Sequence, residues 1–326
     1  MSLIERAVKK IGEDAGLAPP RSQPAGGAPA EVHPSGSTAP SGAKNSNVAQ
    51  PAEASTGASQ AATVPAAAPI LSMAHAPVAR TKAPVKINIP GLRARGFITP
   101  DAAPTPVSQQ FRVIKRPLLT NAFGRGGTPV PNGRRVMVTS AFPGEGKSFC
   151  AINLAMSIAA ERDHSVLLVD ADVAKPSVPT ELGIETGAGL MDWLIDGDRD
   201  LDDLILPTSI EKLSILPAGR RHDHATEYIA SEGMMRLLEQ LSTRYPDRII
   251  VFDSPPLLVT TEARELASHM GQIVMVVEAG KTPRSAVKDA LAAIEGCEVV
   301  GLLLNKAAHV KDGGHYGYGG YGYGAD

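Results

Sequence analysis

Residues 136–159 read VMVTSAFPGEGKSFCAINLAMSIA, and the fold follows from the two changes of character within this stretch. Val136–Thr139 is an uninterrupted apolar, β-branched run, the pattern of a strand buried on both faces. Ser140–Ser148, SAFPGEGKS, then brings two glycines, a proline and small residues, the makings of a tight loop. From Lys147 to about Ala160 the apolar positions resume among good helix formers. Strand, glycine loop and helix in that order make an anion-binding device. Gly144 and Gly146 let backbone N–H groups approach a phosphate, and the helix adds the positive end of its dipole. Lys147 is placed to reach the outer phosphates of a nucleotide, and Ser148 to set its hydroxyl on Mg2+. The general spacing GxxxxGK[ST] has glycine where this chain has Ala141.

Outward from this stretch, strands are expected at Val166–Val169, Leu213–Leu216, Ile249–Phe252, Ile273–Val277 and Val299–Leu304. Helices are expected at Leu190–Leu194, from Thr226 to Arg244, and at Pro283–Glu295. Continuous Val/Ile/Leu runs alternating with helices predict an α/β fold, a mostly parallel sheet with helices on both faces. Ligands of such sheets sit at the carboxyl ends of the strands, where the glycine loop, Asp170 and Asp253 all fall. Asp253, in RIIVFDSPP, is suited to the water shell of Mg2+. Asp170 and Asp172, in LLVDADVAKPS, are two acids at a strand end. They read either as a metal- and proton-binding pair or as turn-forming residues.

Composition bounds the rest. The formal net charge of −2 over 326 residues leaves no electrostatic footprint for nucleic acid. Two cysteines, Cys150 and Cys297, fit a reducing cytoplasm rather than a disulfide scaffold. No apolar run has the length of a membrane span, and the N-terminus lacks the core of a signal peptide. The expectation is a cytoplasmic protein recruited to the inner face of the membrane by a partner or a surface helix. Of 27 prolines, 18 precede residue 132, and no aromatic precedes Phe97. The expected organisation is therefore a short helix over 1–16, with Leu3, Ile4, Ala7, Val8 and Ile11 in one stripe. A disordered Ala/Pro-rich linker over 17–108 follows, then a folded domain over 109–310 and a flexible tail over 311–326. The domain opens with a helix from Gln109 that ends near Pro117. Trp193 and Cys150 are expected in the core, and His222 and His224 in a loop at the sheet edge.

The tail reads YGYGGYGYG from Tyr316 to Gly324, and Tyr316, Tyr318, Tyr321 and Tyr323 are four of the six tyrosines in the chain. Glycine between them removes bulk and stiffness, so each ring can thread into a site in extended form. A phosphate on each would add about −1.5 to −2 charges per tyrosine.

Three motifs together, PGEGKS, LLVDADVAKPS and VFDSPPLL, resemble those of the bacterial tyrosine kinases, P-loop proteins related to the MinD/ParA ATPases. The stretches MSLIERAV, FRVIKRPLL, PAGRRHDHATE, DSPPLLVTTEARELASHMGQ and GLLLNK are similar to the exosortase-associated tyrosine autokinases of exopolysaccharide loci. The likeness covers the N-terminal helix and nearly all of Gln109–Asp326. It implies a P-loop NTPase fold and an ATP- and Mg2+-dependent autokinase that regulates exopolysaccharide assembly. The nucleotide set it implies is Pro143, Gly144, Glu145, Gly146, Lys147, Ser148, Phe149 and Asn305, with Asn305 near the adenine. Ser148, Asp170 and Asp253 would hold the metal, and Lys147, Asp170, Asp172 and Asp253 would carry catalysis. Tyr316, Tyr318, Tyr321 and Tyr323 would accept phosphate. The implied partners are further copies of the chain, as a homo-oligomer such as a ring, a separate membrane activator of the polysaccharide co-polymerase type, and a tyrosine phosphatase. The chain departs from the family's DxDxR motif with Ala174 in place of Arg and Lys175 beside it. It departs from the ExxRxxR oligomerisation motif with Gln109 and Lys115 flanking Arg112. A MinD/ParA-like ATPase switch is the alternative, and a nucleotide-gated scaffold a third reading.

Overall fold

A computed structural model describes residues 82–124, 127–197 and 199–307. The expected N-terminal helix and the four tail tyrosines lie outside the described residues. Among the described residues seven strands form one sheet: β1 (Arg135–Ser140), β2 (Ser165–Asp170), β3 (Leu206–Pro207), β4 (Leu213–Leu216), β5 (Arg248–Asp253), β6 (Gln272–Glu278) and β7 (Val300–Asn305). Their spatial order is β3-β4-β2-β5-β1-β6-β7. Every pairing is parallel except β3 with β4, a short antiparallel edge.

The sheet sorts its side chains with a period of two. Val136 and Val138, Val166 and Leu168, and Ile249 and Val251 face one apolar layer. Met137, Leu167, Val169, Ile250 and Phe252 face the other. Both layers are dry, which is why these strands read as unbroken apolar runs rather than as alternation. The helices in chain order are α1 (Ile89–Ala94), α2 (Pro106–Phe123), α3 (Lys147–Ala159), α4 (Val178–Leu182), α5 (Leu190–Asp196), α6 (Leu201–Leu204), α7 (Ala225–Ile229), α8 (Glu232–Arg244), α9 (Glu262–Ser268) and α10 (Arg284–Ala292). Helix α3 is buried without a break from Cys150 to Ala159, since α2 and the segment before it cover the side turned away from the sheet. Trp193 and Cys150 are core residues, as expected. Among the described residues no helix is long and apolar enough to cross a membrane.

Three expectations are corrected. The linker expected through residue 108 is folded from at least residue 82. Val85 bridges Thr208 of the β3 edge, the Ile87 N–H donates to Ser209 Oγ at 3.1 Å, and Asn88 caps α1. Ile87, Leu92 and Phe97 are buried. Averaging over an Ala/Pro-rich stretch hides these apolar anchors, which suffice to tie a short strap to the domain. The helix expected to end near Pro117 instead runs from Pro106 to Phe123, started by a capping box between Thr105 and Ser108. Proline falls on the exposed side of the helix: Pro117 and Val113, the residue whose carbonyl loses its helical donor, are both exposed, Val113 at 71%. Leu118, Leu119 and Ala122 carry the buried stripe onward. The helix expected over Thr226–Arg244 breaks at Ala230–Ser231 into α7 and α8, where the Ser231 hydroxyl donates back to the Tyr228 carbonyl at 2.7 Å.

Candidate functional site

The parallel register fixes the acids before any side-chain choice is made. Asp170 ends β2 and Asp253 ends β5, and the two are direct partners across the sheet. Neighbouring strands lie about 4.8 Å apart, so two carboxylates are forced together at the sheet's carboxyl edge. Strand β1 pairs with β5 so that Val138 opposes Asp253, and the chain beyond Ser140 rises into the glycine loop directly beside them.

Gly144 and Gly146 both take left-handed backbone angles, φ 84° and 99°, which only glycine adopts cheaply. At Gly146 there is a second constraint, since a Cβ there would stand 2.1 Å from Asn305 Nδ2. Gly146 caps α3, so Lys147 and Ser148 occupy the helix's first turn with its free N–H groups. The loop is braced from below. Buried Glu145 accepts from the Phe142 N–H at 2.8 Å and from the Thr282 hydroxyl. Asn305 Nδ2 donates to the Glu145 carbonyl at 2.9 Å, and Lys306 Nζ to the Gly144 carbonyl at 2.6 Å.

Lys147 reaches over the acids. Its ammonium lies 2.6 Å from Asp172 Oδ2 and 3.9 Å from Asp253 Oδ1. Burial works against its charge, but Asp253, Asp172 and Asp170 outweigh it and hold the pKa above the usual lysine value. The acids respond in the opposite sense. Burial, then the charge of Asp253, pushes Asp170 up to about 7 although the Ser177 and Val178 N–H groups each donate to its Oδ2 at 3.0 Å. Burial pushes Asp253 up to about 6, with Lys147 and the nearby Ser148 hydroxyl pulling it back. Asp170 Oδ1 and both oxygens of Asp253 are buried with no hydrogen bond of good geometry. Orphaned acceptors of this kind are costly and mark a place for a cation.

A cleft of about 410 Å³ opens over these groups, lined among others by Gly144, Lys147, Ser148, Asp172, Lys175 and Glu181. The donor set is a serine hydroxyl and carboxylate oxygens only, which fits Mg2+: that ion takes one or two carboxylates and fills its shell with water and phosphate oxygens. Among the described residues no three His, Cys, Asp or Glu gather into a metal cluster, so a metal here would lean on such outside ligands. His222 and His224 stack on each other's flank at 5.7 Å in a loop, with no metal geometry.

The structure therefore brings Pro143–Phe149, Asp170, Asp172 and Asp253 together. Asn305 lies against the loop backbone rather than in the lining of this cleft. Ala174 and Lys175 both line it. Lys115, read as the last position of an oligomerisation motif, turns inward: it is buried, pairs with Glu161 at 2.7 Å and donates to the Ser157 carbonyl. Gln109 and Arg112 remain on the exposed face of α2. Sequence reading missed several contributors. Ser177 donates its hydroxyl to Ser148 Oγ at 3.0 Å. Phe97 packs its ring 4.9 Å from that of Phe149, and Arg95 pairs with Glu181 at the cleft rim. Lys306 was legible only as the residue after Asn305.

Residues 133–303 match the ParA family, described as NUBPL iron-transfer P-loop NTPase. Over 214 residues the chain is 30% identical to the tyrosine-protein kinase YwqD of Bacillus subtilis, covering 64% of this chain and 86% of the relative. It is 32% identical to the tyrosine-protein kinase CpsD of Streptococcus agalactiae, covering 55% of this chain and 80% of the relative. Among solved structures, the chimerical protein CapA2B2 superposes with a TM-score of 0.54 at 26% identity, over 68% of this chain and 93% of that one. With its nucleotide loop, its in-register acids and these relatives, the chain belongs to the bacterial tyrosine-protein kinases, within the ParA group of P-loop NTPases.

Proposed function

We propose that the protein is an ATP- and Mg2+-dependent autokinase that transfers the γ-phosphoryl group to Tyr316, Tyr318, Tyr321 and Tyr323. The observation that carries this reading is the arrangement of Lys147 above two in-register buried acids, of which Asp170 Oδ1 and both oxygens of Asp253 lack a hydrogen bond. Pro143–Phe149 and Asn305 form the nucleotide-binding set, Asn305 by bracing the loop. The α3 N–H groups and Lys147 bind the phosphates, Lys147 exchanging its contact with Asp172 for phosphate oxygen. Ser148, Asp170 and Asp253 hold Mg2+, which when bound neutralises charge on the phosphate oxygens. Asp170, beside the metal, would also stand next to an incoming tyrosine hydroxyl, whose own pKa is about 10, so that carboxylate and cation together would polarise its O–H. Asp172 orients Lys147 and, through its Oδ1, the Lys175 N–H at 3.1 Å.

The wider role follows from the family likeness and the tail. Phosphates on four clustered tyrosines would give the tail a large negative charge, able to loosen a homo-oligomer built through the exposed face of α2. A separate membrane activator of the co-polymerase type and a tyrosine phosphatase would set the two directions of a cycle controlling exopolysaccharide assembly at the inner membrane face. The rival reading, an ATPase switch, draws on the ParA match alone. Intact mass with and without ATP and Mg2+ separates them. Steps of one phosphate that vanish in Lys147→Met and in a variant with all four tail tyrosines changed to Phe are the expected result. ATP turnover with unchanged mass, in the presence of the activator, would overturn it.

A further inference from the structure

A phosphate-binding loop works only if its N–H groups face the ligand and its carbonyl oxygens face away, because an inward carbonyl repels the anion. Two carbonyls of this loop, those of Gly144 and Glu145, accept hydrogen bonds from consecutive residues at the end of β7, Lys306 and Asn305. Neither donor is among the residues that line the cleft, so the two bonds tie these carbonyls to partners outside its lining. Lys306 is also held in an unusual state. Its φ is +56°, a strained value for a residue with a Cβ, and it persists where several contacts over-determine the residue. Those contacts are the 2.6 Å bond to Gly144 and a 3.2 Å ion pair with Glu278 of β6. Lys281 and Lys306 in turn hold the carboxyl of Glu278 below the usual range against the opposing effect of burial.

We propose that Lys306 is a positioning residue of the phosphoryl-transfer site: its ammonium fixes the Gly144 carbonyl outward and so presents the loop's N–H groups to the phosphates of a nucleoside di- or triphosphate. The inference rests on the nucleotide-binding reading above but not on which group accepts the phosphoryl. Asn305 supplies a neutral hydrogen bond at the next carbonyl, and Glu278 holds the Lys306 ammonium through the ion pair. Gly144 needs this help more than its neighbours. With φ of +84° and no side chain, its peptide is free to turn over in a way that Glu145, pinned by Phe142 and Thr282, is not.

The test compares Lys306→Gln and Lys306→Arg with the full-length wild-type chain, using a fluorescent ADP analogue with Mg2+ and, separately, hydrogen exchange without nucleotide. A charge-assisted bond to a backbone carbonyl is lost in the first variant and kept in the second. Lys306→Gln is expected to bind the analogue about tenfold more weakly, with Arg within about threefold of wild type. Exchange at the Gly144–Lys147 amides should quicken in Lys306→Gln while the rest of the domain and its unfolding midpoint stay put, a pattern that a general packing defect does not give. Unchanged affinity, or unchanged exchange at the loop, would overturn the proposal. Failure of the kinase reading looks different: tight binding of the analogue by the wild type with no phosphate on its tail.

Discussion

Replacing Asp170 by Asn removes one negative charge from the sheet's carboxyl edge while keeping the shape of the side chain. In the wild type Asp170 is fully buried, and burial followed by the charge of Asp253 raises it from 3.8 to about 7. A raised carboxyl means that the folded chain holds this proton more tightly than the unfolded chain does. Below about pH 4 both states are protonated and nothing is lost. Between about 4 and 7 the unfolded chain releases the proton first, so stability falls as pH rises, and above about 7 the full cost is present. At about 1.36 kcal/mol per pH unit, that cost is roughly 4 kcal/mol, part of it shared with Asp253, so about 2–4 kcal/mol should return when the charge is deleted. The substitution should fit: the Asn oxygen can still accept from the Ser177 and Val178 N–H groups, and its amide stands where Asp170 Oδ1 has no donor, next to the bare oxygens of Asp253. Urea unfolding of the nucleotide-free chain in chelator reads the effect. Asp170→Asn should be more stable than wild type by about 2–4 kcal/mol at pH 8.5, the margin shrinking by more than half at pH 5, while tail phosphorylation is lost. A destabilised variant at pH 8.5, or the same gain at both pH values, would refute the electrostatic account.

Gly146→Ala should abolish nucleotide binding, measured by the fluorescent ADP analogue, because the added methyl collides with Asn305 and sits at φ 99°; binding within threefold of wild type would mean that the loop relaxes around it. Leu92→Ala, in the strap read from sequence as linker, should cost about 2–5 kcal/mol in urea unfolding, since Leu92 is fully buried; a cost near zero would show that the strap adds nothing to the domain. Lys115→Met should lower stability by about 1–3 kcal/mol through loss of the Glu161 pair and the Ser157 carbonyl bond yet leave sedimentation unchanged, whereas Arg112→Ala on the exposed face should shift the oligomer distribution and leave stability alone.

What sequence could reveal was set by how local each cause is. The β1–loop–α3 unit is contiguous, so the residue types that make the strand, the turn and the helix cap announce themselves in order. Asp170 and Asp253 were found because each closes an apolar run, and parallel register then had to align them. Lys306 and Thr282 were hidden because their roles come from strand neighbours far away in the chain: the Lys306–Gly144 bond spans 162 residues. The inward turn of Lys115 was hidden for a related reason. A basic residue on a helix is exposed by default, and only the packing of α2 over α3 shows that its ammonium ends on Ser157 and Glu161. Pro117 failed as a stop signal because proline's cost depends on whether the orphaned carbonyl meets water, and sequence does not say which face of α2 is wet.

The charges around Lys147 bear on what the proposed nucleotide site would favour. Asp170, Asp172 and Asp253 face one buried ammonium, so a bare triphosphate meets a surface with acids in excess and is repelled. The burial and mutual repulsion that raise Asp170 and Asp253 would be offset by a divalent cation arriving with the phosphates, because orphaned oxygens would then gain a partner and Lys147 would be released from Asp172. On this reading the metal-loaded nucleotide would bind more tightly than the bare one. Replacing Asp170 alone with its neutral isostere would relieve the charge excess while leaving Asp172 and Asp253 against Lys147, and by the same electrostatics would weaken that discrimination.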